Sequence, residues 1–125
     1  MKVKEIMNKA FVMEENISLK EAAKIMSDKA ITYLIIMKKD KIDGIVTEKE
    51  LAKNGGSSGK KVRDVMSTRI VTVKKNDSID DAAKMMAQNR IRVLPVMDKT
   101  ELVGVITSDD LIANSDDLNE ELFID

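Results

Sequence analysis

Nearly the same eight residues occur twice in this sequence, as GIVTEKEL at residues 44–51 and as GVITSDDL at residues 104–111. In each, a glycine stands beside β-branched residues, which favour a strand. The glycines, Gly44 and Gly104, indicate that another backbone approaches the strand closely. The pattern T-x-x-[E/D] follows, and it is typical of a capping box that begins a helix. Each stretch therefore predicts a strand that leads directly into a short helix.

The similarity extends from these stretches back toward the N-terminus. At the same offset of 60 residues, NISLKEAAKIM at 16–26 aligns with NDSIDDAAKMM at 76–86. Nearer the start, VKEIM at 3–7 aligns with VRDVM at 62–66. Internal similarity at a fixed spacing indicates a repeated structural unit. The chain is thus expected to be two copies of one unit of about sixty residues.

The repeat also divides the chain. We expect the first repeat at 1–60, with a flexible glycine- and serine-rich linker at 53–60, the second at 61–113, and an acidic tail at 114–125. A unit of this size is marginal alone, because small chains bury too little surface. We therefore expect both repeats to form one compact module. The tail could be a short helix that packs or docks a partner, or it could be disordered.

Hydrophobic patterning predicts the order β-α-β-β-α in each repeat. The first strand is clearest as IVTV at 70–73. Ser18 and Ser78 are expected to cap the longer helices. The nearly continuous apolar runs at 31–37 and 91–97 predict buried strands. In the first repeat, the apolar positions of the longer helix fall at helical spacing: Leu19, Ala22, Ala23, Met26 and Ala30.

Composition argues against several classes of function. The chain has no Cys and no His, so thiol chemistry, the usual zinc ligands and the usual general base are missing. Lys and Arg number 21 and Asp and Glu 22, which makes nucleic-acid binding unexpected. No nucleophile–base pair stands out, so we expect no enzyme activity. No apolar run is long enough to span a bilayer, and a cytoplasmic protein is the default expectation.

Three features recur in both repeats, a leading V-x-[D/E]-h-M, the β-α-β-β-α order and a closing G-h-h-T-x-x-[D/E], and the middle strand of the second repeat contains LPV at 94–96. Together they resemble the CBS (cystathionine β-synthase) domain, over roughly residues 2–112. The resemblance implies an α+β tandem CBS pair. In such a pair each repeat has a small mixed sheet, and the repeats pack about a pseudo-twofold axis that leaves two clefts. It also implies a homodimer.

The resemblance gives the repeated T-x-x-[E/D] a second interpretation. As a capping box, Thr47 with Glu50 and Thr107 with Asp110 would only begin helices. In the CBS family, however, the clefts commonly bind AMP, ADP, ATP or S-adenosylmethionine. The threonine could then donate to a phosphate oxygen, and the acid could accept from two ribose hydroxyls. Both interpretations remain open at this point.

The family pattern assigns residues to two clefts, each combining both repeats. The first would contain Thr107, Asp110 and Val105 with Phe11, Ile31 and Thr32. The second would contain Ile45, Thr47 and Glu50 with Val71, Ile91 and Arg92. Asp110 matches the family's ribose-binding acid, whereas Glu50 departs from it by one methylene. Arg92 could bind a phosphate through two hydrogen bonds, or it could be a solvated surface charge.

The expected function is a regulatory module that binds an adenosine-containing ligand and transmits this to a protein partner. The alternative is a dimerisation or interaction scaffold whose clefts are unused. No cofactor is required by either, and no membrane contact is expected. The sequence alone does not distinguish among the adenine nucleotides and S-adenosylmethionine.

Overall fold

The computed structural model describes residues 1–55 and 59–114. The predicted tail lies outside the described residues except for its first position, as do three residues of the predicted linker. The fold is α+β, with two small mixed sheets and five α-helices among the described residues.

The predicted order β-α-β-β-α is confirmed in both repeats. The first repeat contains β1 (Val12–Glu14), α1 (Leu19–Lys29), β2 (Tyr33–Lys38), β3 (Lys41–Thr47) and α2 (Glu48–Asn54). The second begins with the short α3 (Val62–Val65) and continues with β4 (Val73–Lys74), α4 (Ile79–Asn89), β5 (Val93–Asp98), β6 (Glu101–Thr107) and α5 (Ser108–Asn114). A 3-10 turn at Val3–Glu5 occupies the position in the first repeat that α3 has in the second.

Each sheet has three strands in chain order. In the first, β1 runs parallel to β2, and β2 runs antiparallel to β3. The second repeats this arrangement with β4, β5 and β6. The β2–β3 hairpin turns through two residues, Lys39 and Asp40, both with positive φ, as a type I′ turn requires. The central strands β2 and β5 each begin with four buried residues, as the apolar runs predict.

Two sequence-based details differ from the structure. The strand expected at 70–73 begins only at Val73, because β4 pairs with β5 at just two positions and strand propensity without a pairing partner does not make a strand. Ala30 is not part of the apolar helical face. It lies after the end of α1 with φ 52°, in the left-handed region that ends helices.

The chain forms two compact units that do not coincide with the sequence repeats. One contains Met1–Ala10 together with the described residues from Val71 onward, and the other contains Phe11–Ile70. We call them the Thr107 unit and the Thr47 unit. Each unit therefore combines the sheet of one repeat with the leading segment of the other repeat. Met1–Ala10 shares a unit with the second sheet, and α3 shares a unit with the first sheet. The expectation that both repeats form one compact module remains a prediction.

Each unit has its own apolar core. In the Thr107 unit, Val3 from the leading segment is fully buried among residues of α4, β5 and β6. In the Thr47 unit, Val62 of α3 is fully buried among residues of α1, β2 and β3. Burying a side chain such as valine contributes roughly 1.5–3 kcal/mol. The leading segments are therefore structural parts of these cores.

Candidate functional site

The end of β6 and the start of α5 form a closed capping box in the Thr107 unit. Asp110 Oδ2 accepts from the backbone N–H of Thr107 at 2.8 Å and from its hydroxyl at 2.9 Å. The Thr107 hydroxyl in turn accepts from the N–H of Asp110 at 3.3 Å. The capping interpretation of the repeated stretch is therefore confirmed here. It fixes the Asp110 carboxylate beside Thr107, where a ligand could also reach it.

A second residue holds the same carboxylate. The Asn8 side-chain amide donates to Asp110 Oδ1 at 2.9 Å. The Asn8 backbone is fixed by two hydrogen bonds to Val105 in β6, of 2.8 and 2.9 Å. Sequence reasoning missed Asn8, because 102 positions separate it from Asp110 and no local pattern marks it. The signal available was Gly104, which indicated that some backbone crosses the strand there.

The close approach at the repeated glycines is confirmed. A methyl group on Gly104 would lie 2.9 Å from the carbonyl oxygen of Asn8 and 2.8 Å from the sulfur of Met7. On Gly44, the same group would collide with the Met66 side chain and lie 3.0 Å from the carbonyl oxygen of Ser67. In both units the leading segment crosses a strand at a position where only glycine leaves room.

Arg92 lies beside this corner of the Thr107 unit. Its carbonyl oxygen accepts from the N–H of Ser108 at 2.9 Å, because β5 begins at Val93 directly opposite Thr107. The arginine side chain is exposed. The sequence-based grouping assigns Arg92 to the cleft of Glu50. Within its own unit, the backbone of Arg92 lies beside the Thr107 corner, and its assignment to either cleft remains a prediction.

The Thr47 unit repeats the capping box with a longer acid. Glu50 Oε1 accepts from the backbone N–H of Thr47 at 2.7 Å and from its hydroxyl at 2.9 Å. These lengths match those of Asp110, so the extra methylene of Glu50 does not weaken the cap. Its effect on ribose binding remains a prediction. Thr32 stands where the other unit has Arg92, so that position carries no charge here.

Phe11 directly precedes β1 in the Thr47 unit. Its ring meets Tyr33 edge-on with centroids 6.3 Å apart, and its backbone N–H donates to the Tyr33 hydroxyl at 3.3 Å. The Lys29 ammonium lies 5.8 Å from the centre of the Phe11 ring. Phe11 remains partly exposed, at 37%. An accessible aromatic face of this kind suits stacking against a base.

A groove of about 420 Å³ opens between the end of α1 and the start of α2 in the same unit. Ile31 and Thr32 line it, together with Glu48 and Leu51 of that unit. Two predicted site residues thus border an open space. Met26 also lines the groove, so its wall combines apolar side chains with the polar Ser27, Thr32 and Glu48.

The other predicted site residues are apolar, and each is described within its own unit. Val105 is buried, whereas the remaining three are partly buried: Ile45, Val71 and Ile91. Val71 and Ile91 pack against the core of the Thr107 unit. The expected groupings that combine residues of the two units remain predictions.

Across residues 1–55 and 59–114, no group of three or more acidic residues could hold a metal ion. Over the same residues, no helix is long and apolar enough to cross a bilayer.

Comparisons with known proteins agree with this architecture. The CBS domain model matches twice, at residues 3–56 and 62–117. The CBS domain-containing protein YhcV of Bacillus subtilis is 32% identical over 103 residues, which cover 79% of this chain and 74% of YhcV. Inosine-5′-monophosphate dehydrogenase of Thermoplasma acidophilum is 34% identical over 110 residues, which cover 86% of this chain and 22% of the enzyme. The match also spans only 35% of the uncharacterized protein MJ1232 of Methanocaldococcus jannaschii.

A solved structure with the same fold contains ligands. The CBS domain pair of protein MJ0100, in complex with 5′-methylthioadenosine and S-adenosyl-L-methionine, superposes with a TM-score of 0.84 and 31% identity. The superposition covers 90% of this chain and 94% of that one. The family model matches this chain as a tandem pair of CBS domains, and no catalytic family is indicated. With both of its repeats matched, this chain belongs to the CBS domain family.

Proposed function

We propose that this protein is a regulatory module that binds an adenosine-containing ligand and passes the binding event to a protein partner. The observation that carries the proposal is the corner of the Thr107 unit, where the Asp110 carboxylate is held beside Thr107 and the Arg92 backbone is bonded to Ser108. The MJ0100 domain pair, crystallised with two adenosine derivatives, supports the ligand class. The module performs no reaction of its own, requires no cofactor and acts in the cytoplasm.

The roles follow from the chemistry of each group. Asp110 accepts a hydrogen bond from a ribose hydroxyl. Thr107 can donate its hydroxyl to a phosphate oxygen if it exchanges the bond that it gives Asp110. Arg92 supplies a planar cation that can bind phosphate through two hydrogen bonds. The base needs an apolar surface, for which Val105 is the predicted candidate within this unit.

Charge separates the two corners. The Thr107 corner has Arg92 and suits a phosphorylated adenosine. The Thr47 corner has Thr32 at the same place and suits a ligand without phosphate, such as the nucleoside or sulfonium compounds in the MJ0100 complex. One module would then bind two classes of ligand. Binding changes a partner's affinity only to the extent that it favours one state of the module over another.

A thermal-shift panel with AMP, ADP, ATP, 5′-methylthioadenosine and S-adenosylmethionine tests the proposal. A ligand that binds only the native state must raise the melting temperature, by an amount that grows with its concentration. AMP should stabilise the wild type, and Arg92→Ala should lose most of that shift. The same variant should keep its response to 5′-methylthioadenosine. Absence of any shift across the panel would leave only the scaffold function.

That second function, a dimerisation scaffold, is favoured by the open groove between α1 and α2, which is partly lined by apolar side chains. We propose that the module is a homodimer in either case, since an open surface with an apolar part can pack on a second copy. Light scattering at tens of micromolar should give the mass of two chains. A monomer would remove the scaffold alternative and leave ligand binding to be judged on the panel alone.

A further inference from the structure

Methionine is the only sulfur-containing residue type in this chain, and two of the nine methionines lie on the repeated glycines. A methyl group on Gly104 would lie 2.8 Å from the Met7 sulfur, and one on Gly44 would collide with the Met66 sulfur. Each thioether therefore fills the space that a side chain on the glycine would occupy. Both methionines are only partly buried, which leaves part of each side chain open to solvent.

In the Thr107 unit, Met7 lies between a buried residue and the point where the leading segment crosses β6. Its N–H donates to the carbonyl oxygen of the fully buried Val3 at 2.9 Å. The next residue, Asn8, exchanges two backbone hydrogen bonds with Val105, of 2.8 and 2.9 Å. The Met7 side chain also packs against the apolar core of the unit. A change in this side chain therefore acts directly on the contact that holds the segment to the sheet.

The Thr47 unit repeats this arrangement around Met66. The N–H of Met66 donates to the carbonyl oxygen of the buried Val62 at 2.8 Å. Ser67 then exchanges two backbone hydrogen bonds with Ile45, of 2.9 and 3.0 Å. Met66 also packs against the core of its unit. The two crossings thus share one chemical feature, a thioether that lies on a glycine, although the residue after it differs.

We propose that Met7 and Met66 are oxidation sites through which a hydroperoxide loosens the leading segments. The sulfur attacks one oxygen of hydrogen peroxide, the O–O bond breaks as the S–O bond forms, and the other oxygen leaves as water with both protons. The thioether loses two electrons and the peroxide gains them. The product is methionine sulfoxide, which is polar and chiral, and a methionine sulfoxide reductase returns it to the thioether with a dithiol as electron donor.

The sulfoxide does not fit where the thioether lies. Atoms added at a tightly packed site displace their neighbours. The sulfoxide oxygen also needs a hydrogen-bond donor, because an unpaired polar atom is unfavourable in apolar surroundings. The backbone N–H groups of Asn8 and Val105 are already bonded across the crossing. Oxidation of Met7 should therefore displace the segment, and with it the Asn8 amide that holds Asp110.

Partial burial alone does not define these two sites. Met85 is likewise partly buried against the core of the Thr107 unit, but it lies on α4 and not at the crossing. Met1 is 63% exposed, so it should be oxidised readily with little effect on packing. The inference goes beyond ligand binding, since it would hold equally for a scaffold.

Graded treatment with hydrogen peroxide tests the proposal. Wild type, Met7→Leu, Met66→Leu, the double variant and the control Met85→Leu are treated in native buffer, and peptide mass spectrometry gives the sulfoxide content of each methionine. The urea midpoint is measured before treatment, after it, and after reduction by methionine sulfoxide reductases that act on both sulfoxide epimers. Leucine conserves volume, so each variant should fold. Comparing treated with untreated samples of one variant removes the effect of the substitution itself.

Treated wild type should contain sulfoxide at Met7 and Met66 before it appears at the methionines of the buried cores. Its midpoint should fall by roughly 0.5–1 M urea, and reduction should restore it. The double variant should lose most of this fall, each single variant part of it, and Met85→Leu none.

Two results would overturn the inference. One is a double variant whose midpoint falls as far as that of wild type, and the other is a wild type in which Met7 and Met66 stay reduced while Met1 is fully oxidised. Neither measurement involves a nucleotide. Failure of this inference is therefore distinguishable from failure of the proposed function, which the thermal-shift panel decides.

Discussion

The substitution Gly104→Ala tests why the same glycine occurs in both repeats. The added methyl group would lie 2.9 Å from the Asn8 carbonyl oxygen and 2.8 Å from the Met7 sulfur. The methionine end can rotate away. The carbonyl oxygen cannot move freely, because it accepts the N–H of Val105 at 2.9 Å and thereby holds the leading segment on β6.

Two opposing effects set the expected loss of stability. Adding one carbon to a tightly packed site costs about 1–3 kcal/mol. Replacing glycine by alanine also restricts the unfolded chain, which stabilises the folded state by about 0.4–1 kcal/mol. Because the steric cost exceeds this gain, we expect the free energy of unfolding to fall by about 1–2 kcal/mol. The same change displaces Asn8, so AMP binding should weaken as well.

Denaturant titration of wild type and variant gives this difference from the shift in midpoint at constant slope. Gly55→Ala is the matched control, since a methyl group there would lie 3.3 Å from its nearest neighbour, the carbonyl oxygen of Leu51, and its φ of −57° is open to any residue. The control should lose less stability than Gly104→Ala, because its nearest contact is longer than the contacts at Gly104. If Gly104→Ala is as stable as the control, the segment is not held against the strand as closely as described, and the explanation of the repeated glycine is wrong.

Three further outcomes are expected. Asp110→Ala and Glu50→Ala should each lower the free energy of unfolding by about 0.5–2 kcal/mol, because each acid closes a capping box; equal midpoints in wild type and both variants would contradict this. Val3→Ala should cost about 1.5–3 kcal/mol because its side chain is fully buried, whereas Val12→Ala, at a site 45% exposed, should cost far less; similar losses would show that the leading segment is not part of a core. Differential scanning calorimetry should show one unfolding transition, as predicted for a single module, and two separated transitions would contradict it.

Local patterns in the sequence predict the elements of this fold well. Capping residues predict where helices begin, and the Ser18 hydroxyl does accept from the N–H of Glu21 at 3.0 Å. Continuous apolar runs predict the buried central strands. These features succeed because a cap or a period involves residues only a few positions apart. The short β4 shows the limit, since strand propensity does not reveal how far a partner strand extends.

Contacts between distant segments are what the sequence does not reveal. Nothing in the order of the repeats indicates that Met1–Ala10 shares a unit with the later sheet. Asn8 therefore could not be assigned to the site of Asp110 without the structure. Strand pairing places the Arg92 backbone beside Thr107, and the assignment of Arg92 to the Glu50 cleft by family analogy remains a prediction.

Comparison of equivalent positions separates what the repeat must keep from what each copy can vary. One ion pair keeps its place but exchanges its charges: Lys75 lies 2.9 Å from Asp98, and at the equivalent positions Glu15 lies 3.7 Å from Lys38. Either order of the two charges is tolerated, because an exposed ion pair contributes at most about 1 kcal/mol to the free energy of unfolding.

The differences that change chemistry lie around the shared cap. The glycine and the threonine–acid pair occur in both units, because both need a crossing segment and a helix start. Asn8 against Ser67 and Arg92 against Thr32 differ in donors, acceptors and charge, while the backbone hydrogen bonds of Asn8 and Ser67 are the same. Since these substitutions leave the scaffold unchanged, we expect their consequence to fall on what the two corners can bind. The repeated stretch builds two similar corners, and we predict that the residues beside it give them different ligands.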